Sequence, residues 1–270
     1  MLQPLKLDIV EKPEEFLNLN DFLILPSSDI PDPIPILSVK QDGRRITIMT
    51  EDNISLLFGP AKARKSAFIR SICQAILKGE NNKLHSSYER KEIGIFDTEQ
   101  SQYHCRNATR IIFSLTGCEV SYYSVVGLSI HQKKQLVETY LKMNPKCGLL
   151  ILDNIVHFLQ DFNSPLESGE VTEWLLRLKK QYHTHILVVL HENPSGSASG
   201  IRKPRGSLGT NLMNLCETAM LIEKDQNDKN QSIISANLTR GEPFNDMSLT
   251  TDYQLIPYLD DMQVYERKKY

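Results

Sequence analysis

The stretch Ile54-Ser55-Leu56-Leu57-Phe58-Gly59-Pro60-Ala61-Lys62-Ala63-Arg64-Lys65-Ser66-Ala67 decides how the chain is read. Ile54 to Phe58 form a short β-rich run, and Gly59 to Arg64 form a loop. Lys65 and Ser66 open a segment in which Phe68, Ile69, Ile72, Cys73, Ile76 and Leu77 recur at helical spacing. Gly79 supplies a helix stop. A glycine-led loop between a strand and a helix presents backbone N–H groups to an anion, and the helix N-terminus adds favourable partial charge. Residues Gly59, Pro60, Ala61, Lys62, Ala63, Arg64, Lys65, Ser66 and Ala67 are thus the expected nucleotide cradle. Lys65 is placed to reach the β- and γ-phosphates of ATP, and the Ser66 hydroxyl to ligate Mg²⁺. The pattern calls for glycine just before the lysine, where the backbone is crowded and φ can be positive. Here that residue is Arg64, which either distorts the loop or adds a cation beside the phosphates.

Beyond the loop, strands and helices alternate. EIGIFDT (92–98), EVSYYSV (119–125), CGLLILD (147–153) and THILVVL (184–190) read as strands, with helices expected over 102–117, 129–143 and within 166–183. Such alternation predicts parallel pairing with right-handed crossovers, so an α/β fold with a central, mostly parallel sheet flanked by helices. The segment 192–210, rich in Gly, Ser and Pro, reads as a loop, and strands follow over 217–223, 231–239 and about 248–256. Residues 1–45 carry Pro4, Pro13, Pro26, Pro31, Pro33 and Pro35 and read as an arm, packed on the core or a neighbouring subunit; residues 46–270 form the core.

Strand ends supply the remaining chemistry. Asp153 ends an apolar run and can hold the water shell of Mg²⁺, because ligands bind at the C-terminal ends of parallel strands. Glu99 is the candidate general base for an attacking water, with Asp97 in reserve. His191 closes the run HILVVL, where it can touch the γ-phosphate. The loop after it carries Arg202, Lys203 and Arg205 among small residues, a composition suited to a phosphodiester backbone. Arg240 follows the strand ANLT, where it can act on the γ-phosphate of a neighbouring subunit.

Bulk composition sets few limits. The 270 residues suffice for one sizeable domain with an extension, and a net charge of −2 argues neither for nor against nucleic acid. Five scattered cysteines without a Cys-x-x-Cys pair suggest reduced thiols, and no apolar run approaches the roughly 18 residues a membrane helix needs. A cytoplasmic protein is the expectation.

The order GPAKARKS, DTEQS, LLILDN, LVVLHENP with its basic loop, then ANLTRGEP resembles the RecA-like P-loop ATPase core over about residues 45–255. It is most similar there to the hexameric helicases of the RepA and DnaB type, especially the small RepA-like ATPases of plasmids and mobilisable elements. The resemblance implies Lys65 and Ser66 on phosphates and metal, Glu99 as catalytic acid, Asp153 in the metal shell, His191 as γ-phosphate sensor and Arg240 as a finger across a subunit interface. It implies DNA contacts from the segments after Asp153 and His191, a homo-oligomeric ring of hexamer type, and replication or mobilisation proteins as partners. Leu238 stands where DnaB-type relatives carry lysine, and no primase-binding domain is present. An alternative is a nucleotide-gated loading or regulatory factor with little hydrolysis; a RecA-like signalling ATPase acting on proteins is a third.

Overall fold

In the core strands, successive apolar side chains feed two different cores. Leu57, Ile151, Leu187 and Val189 face one hydrophobic cluster, while Leu56, Phe58, Leu150, Leu152, Val188 and Leu190 face the other. That period-two division is what a sheet covered on both faces requires. The computed structural model describes residues 18–192 and 202–262. They divide into Met1–Asp32, described from Asn18 onward, and Pro33–Tyr270. The first unit holds one 3₁₀ turn, Leu19–Phe22, capped by the Asn18 side chain, which accepts from the Asn20 N–H.

The second unit opens with β1 (Pro35–Gln41) and β2 (Arg44–Thr50), then β3 (Ile54–Gly59) and α1 (Lys65–Lys78). Next come β4 (Leu84–His85), β5 (Glu92–Asp97), α2 (Gln102–Thr116) and β6 (Ser121–Ser124). α3 (Ile130–Met143), β7 (Cys147–Asp153), a 3₁₀ turn (Ile155–Phe158), α4 (Pro165–Tyr182) and β8 (His185–His191) follow. The chain continues through α5 (Gly206–Leu215), β9 (Thr218–Lys224), β10 (Gln231–Thr239), β11 (Met247–Thr251) and β12 (Pro257–Asp261).

Nine strands form one sheet in the order β12-β11-β10-β9-β3-β8-β7-β5-β6. Pairing is parallel from β9 through β6 and antiparallel from β9 out to β12. α1 and Ile112 of α2 share one core with a small antiparallel sheet, β2-β1-β4; α3, α4 and α5 bury their apolar sides in the other. Helix ends follow local chemistry. Ser129 and Gln132 form a reciprocal capping box at α3, and Ser164 caps α4 with Pro165 at its first turn. Gly79 and Gly117 end α1 and α2 with positive φ.

Three expectations are corrected. The arm does not extend to residue 45, because Pro35–Gln41 is strand β1, with Ile36, Leu37 and Val39 buried. The loop expected over 192–210 gives way to helix from Gly206, since Leu208 and Leu212 have a core to enter; residues 193–201 lie outside the described residues. The last expected strand is interrupted by a turn at 252–256, and β12 beyond it completes the sheet. Among the described residues no helix is long and apolar enough to cross a membrane.

One core polar group has a measurable signature. His185 is fully buried, and its Nδ1 donates to the Thr50 carbonyl at 2.7 Å while Nε2 has no partner. Burial first, against the opposing effect of that hydrogen bond, pulls its pKa down to about 4. The unfolded chain therefore binds this proton more readily. The contribution of neutral His185 is complete above pH 6.5 and is lost as pH falls toward 4, by roughly 3 kcal/mol in all. The urea midpoint should fall between pH 7 and pH 4.5, and His185→Gln should flatten that fall; parallel pH profiles for the two proteins would contradict the assignment.

Candidate nucleotide and metal site

Parallel register levels the strand ends. Gly59 of β3 pairs with His191 of β8, and Asp97 of β5 pairs with Asp153 of β7. β8 lies between β3 and β7, so the loop strand and the Asp153 strand stand about 10 Å apart, two strand spacings. The opening between them is a cavity of about 370 Å³. Lys65, Ser66, Glu99, Asp153 and His191 all line it, joined by Lys62 and Arg64 of the loop.

The loop is held by its own lysine. Lys65 Nζ donates to the carbonyls of Gly59 (3.0 Å) and Pro60 (2.9 Å) and to His191 Nδ1 (3.2 Å). An ammonium only donates, so Nδ1 accepts and the His191 proton sits on Nε2. That Nε2 lies 3.5 Å from Glu99 Oε1. Burial lowers the Lys65 pKa, against the pull of Asp153, Glu99 and Glu192. Gly59 packs so tightly on β9 that a Cβ there would lie 1.9 Å from the Ile222 carbonyl oxygen.

Arg64 adopts the left-handed conformation (φ 69°) that the pattern reserves for glycine, at a cost of about 1–2 kcal/mol for an L side chain. Its guanidinium turns to the β9–β10 hairpin, where Nη1 donates to Ser232 Oγ (3.0 Å) and Nη2 to the Lys229 carbonyl (3.1 Å).

Three carboxylates face the one buried ammonium. Burial, then the charges of Asp97 and Glu99, push the Asp153 pKa up to about 7, with Lys65 opposing. A carboxylate held this high lacks a cation. Ser66 and Asp153 offer hard oxygen donors that suit Mg²⁺ arriving with phosphates, which takes few protein ligands. Among the described residues no group of three or more acidic, His or Cys side chains forms a metal cage of its own.

Asp97 is buried and accepts from the Glu99 N–H (3.0 Å), the Gln100 N–H (2.7 Å), Gln100 Nε2 (2.6 Å) and Tyr122 OH (2.9 Å). It shapes the turn that carries Glu99. Glu99 Oε1 accepts from Asn154 Nδ2 (3.2 Å) and lies 3.3 Å from His157 Nε2. The hydrogen bond from His191, with those from Asn154 and His157, pulls its pKa down to about 2 despite burial.

The remaining sequence candidates are placed elsewhere. Arg202 is paired with Glu192, and its Nη1 lies 3.1 Å from Glu223 Oε2. Arg205 stacks over the Phe162 ring at 4.6 Å, and Lys203 lies between them in sequence. Arg240 is not brought to the cavity. Thr239 pairs with Thr218 at the start of β9, at the opposite end of the sheet, and Arg240 Nη2 donates to the Leu215 carbonyl (2.9 Å).

Sequence reasoning passed over Arg70, Gln100, Asn154, His157, Thr251 and Leu255. Arg70 had a visible signal, being charged on the apolar side of α1; it is buried, lines the cavity and donates to the Leu255 carbonyl at 3.1 Å. Asn154 had only its place after Asp153. Thr251 and Leu255 reach the cavity through the β11–β12 turn, which no local pattern announces.

No protein-family profile matches the chain, and no curated protein matches it in sequence. Solved structures do resemble it. One, the crystal structure of the RadB recombinase, superposes with a TM-score of 0.56 at 11% identity, covering 80% of this chain and 94% of that one. Another, the ATPase domain of a DnaB-like helicase, gives 0.57 at 8% identity, covering 78% and 85%. With the sheet order and the strand-end loop, these likenesses identify the fold as the RecA-like P-loop fold.

Proposed function

We propose that this chain is a Mg²⁺-dependent ATPase acting on single-stranded DNA. The observation that carries the reading is that Lys65, Ser66, Glu99, Asp153 and His191 line one cavity at the ends of parallel strands. The amides of the 59–66 loop and the Lys65 ammonium would hold the phosphates, and Ser66 Oγ with Asp153 would hold Mg²⁺. The metal would supply charge neutralisation at the phosphates. Glu99 would orient and deprotonate the attacking water, and His191, already between Lys65 and Glu99, would sense the γ-phosphate. Arg240, outside its own cavity, suits action on a neighbouring subunit, so a ring of hexamer type fits the reading. The segments after Asp153 and His191, with Lys203 and Arg205, are the surfaces for DNA. Replication or mobilisation of a genetic element would be the setting, in the cytoplasm.

A second reading is a nucleotide-gated loading or regulatory factor with little turnover. It is favoured by the donors converging on Glu99 Oε1, which make its carboxylate a weak base.

Lys65→Ala should weaken MgATP binding at least about tenfold, measured by calorimetry; equal affinity would remove the site. Glu99→Gln should lower turnover by about 10²–10⁴-fold with binding kept, and unchanged turnover selects the regulatory reading. Single-stranded DNA should stimulate hydrolysis, and its binding should weaken steeply with salt. Lys203→Ala or Arg205→Ala should each reduce the salt slope by about 1, and binding indifferent to salt would exclude the DNA role.

A further inference from the structure

The residue before Lys65 is an arginine in a conformation made for glycine, and its side chain is tied down away from its own loop. Arg64 sits at the N-cap of α1, where its carbonyl accepts from the N–H groups of Ala67 (2.9 Å) and Phe68 (3.1 Å). No side chain caps this helix start, so the left-handed turn at Arg64 alone sets where the loop amides point. Its guanidinium is engaged by Ser232 Oγ and the Lys229 carbonyl. Ser232 is fully buried and sits in the β9–β10 ladder opposite Lys224. The hairpin tip is braced by Asp225, which accepts from the Asn227 N–H (2.8 Å), and Asp228, which accepts from the Asn230 N–H (2.8 Å). The anchor is thus a hydrogen-bonded part of the sheet.

We propose that Arg64 is a positioning residue that moors the phosphate loop to the β9–β10 hairpin, and that this mooring replaces the conformational freedom glycine would provide. The proposal rests on reading 59–66 as a phosphate loop. Glycine at position 64 adopts the left-handed turn without strain and needs no anchor. Alanine has the strain without the anchor. Lysine keeps a positive charge but lacks the forked geometry that reaches Ser232 Oγ and the Lys229 carbonyl together. The order of the variants therefore separates positioning from simple supply of a cation.

The test uses the full chain with Arg64→Gly, Arg64→Ala, Arg64→Lys, Ser232→Ala and the Arg64→Gly/Ser232→Ala pair. MgATP binding is measured by calorimetry, amide hydrogen exchange over residues 60–66 without nucleotide, and melting temperature as a check on folding. Arg64→Gly should bind MgATP as the parent does, while Arg64→Ala and Arg64→Lys should each bind about tenfold more weakly. Ser232→Ala should weaken binding and speed loop exchange when residue 64 is arginine, and do neither when it is glycine. Equal losses in Arg64→Gly and Arg64→Ala with Arg64→Lys unimpaired would overturn the proposal in favour of direct phosphate contact. So would a Ser232→Ala effect of the same size in both backgrounds. If the parent binds no MgATP, the proposed function fails, while loop exchange in the same variants still decides the mooring. If Ser232→Ala does not fold, the Arg64 series decides it alone.

Discussion

The site depends on three carboxylates held around a single buried ammonium. Asp97, Glu99 and Asp153 converge because β5 and β7 end in register, and Lys65 faces them because the loop after β3 returns its helix to the same edge. Such a set is electrostatically incomplete: its neighbours and its burial hold Asp153 half-ionised near pH 7, and Lys65 is partly stripped of water. A divalent cation carrying phosphates satisfies both imbalances, one charge partner for each. The rest of the fold serves to keep these groups level.

Several features of that arrangement were legible in the chain. The run Ile54–Phe58, the glycine at 59 and the Lys-Ser pair marked strand, loop and helix because each residue type has a narrow set of conformations. The runs before Asp97, Asp153 and His191 marked buried parallel strands, and the ends of such strands are where ligands bind. What escaped was non-local. That Asp97 spends its oxygens on backbone and Tyr122, and so shapes a turn, depends on β6 pairing beside β5. That Arg202 is neutralised depends on Glu223, which is separated from it by a whole helix. The helix at Gly206–Leu215 hid within a composition of small residues, because its burial, at Leu208 and Leu212, comes from contact with α4 and its core.

Arg64 shows how a departure from a pattern is absorbed. A glycine signature records a backbone need, and a larger residue meets that need when its far end finds partners strong enough to offset the strain. Here the partners lie on a different supersecondary unit. The departure therefore makes the phosphate loop and the β9–β10 hairpin parts of one mechanical element.

The ion pair between Arg202 and Glu192 carries a consequence for how the end of β8 communicates with its surroundings. Glu192 is buried, follows His191 directly, and acts electrostatically on Lys65. Any anion that draws Arg202 away strips Glu192 of its counter-charge in a poorly hydrated setting, where an unpaired carboxylate is costly. The nearest compensating cation is the lysine of the phosphate loop. Occupancy of the basic segment and the protonation and position of Lys65 are thereby tied to each other through one carboxylate, with no movement of the sheet required.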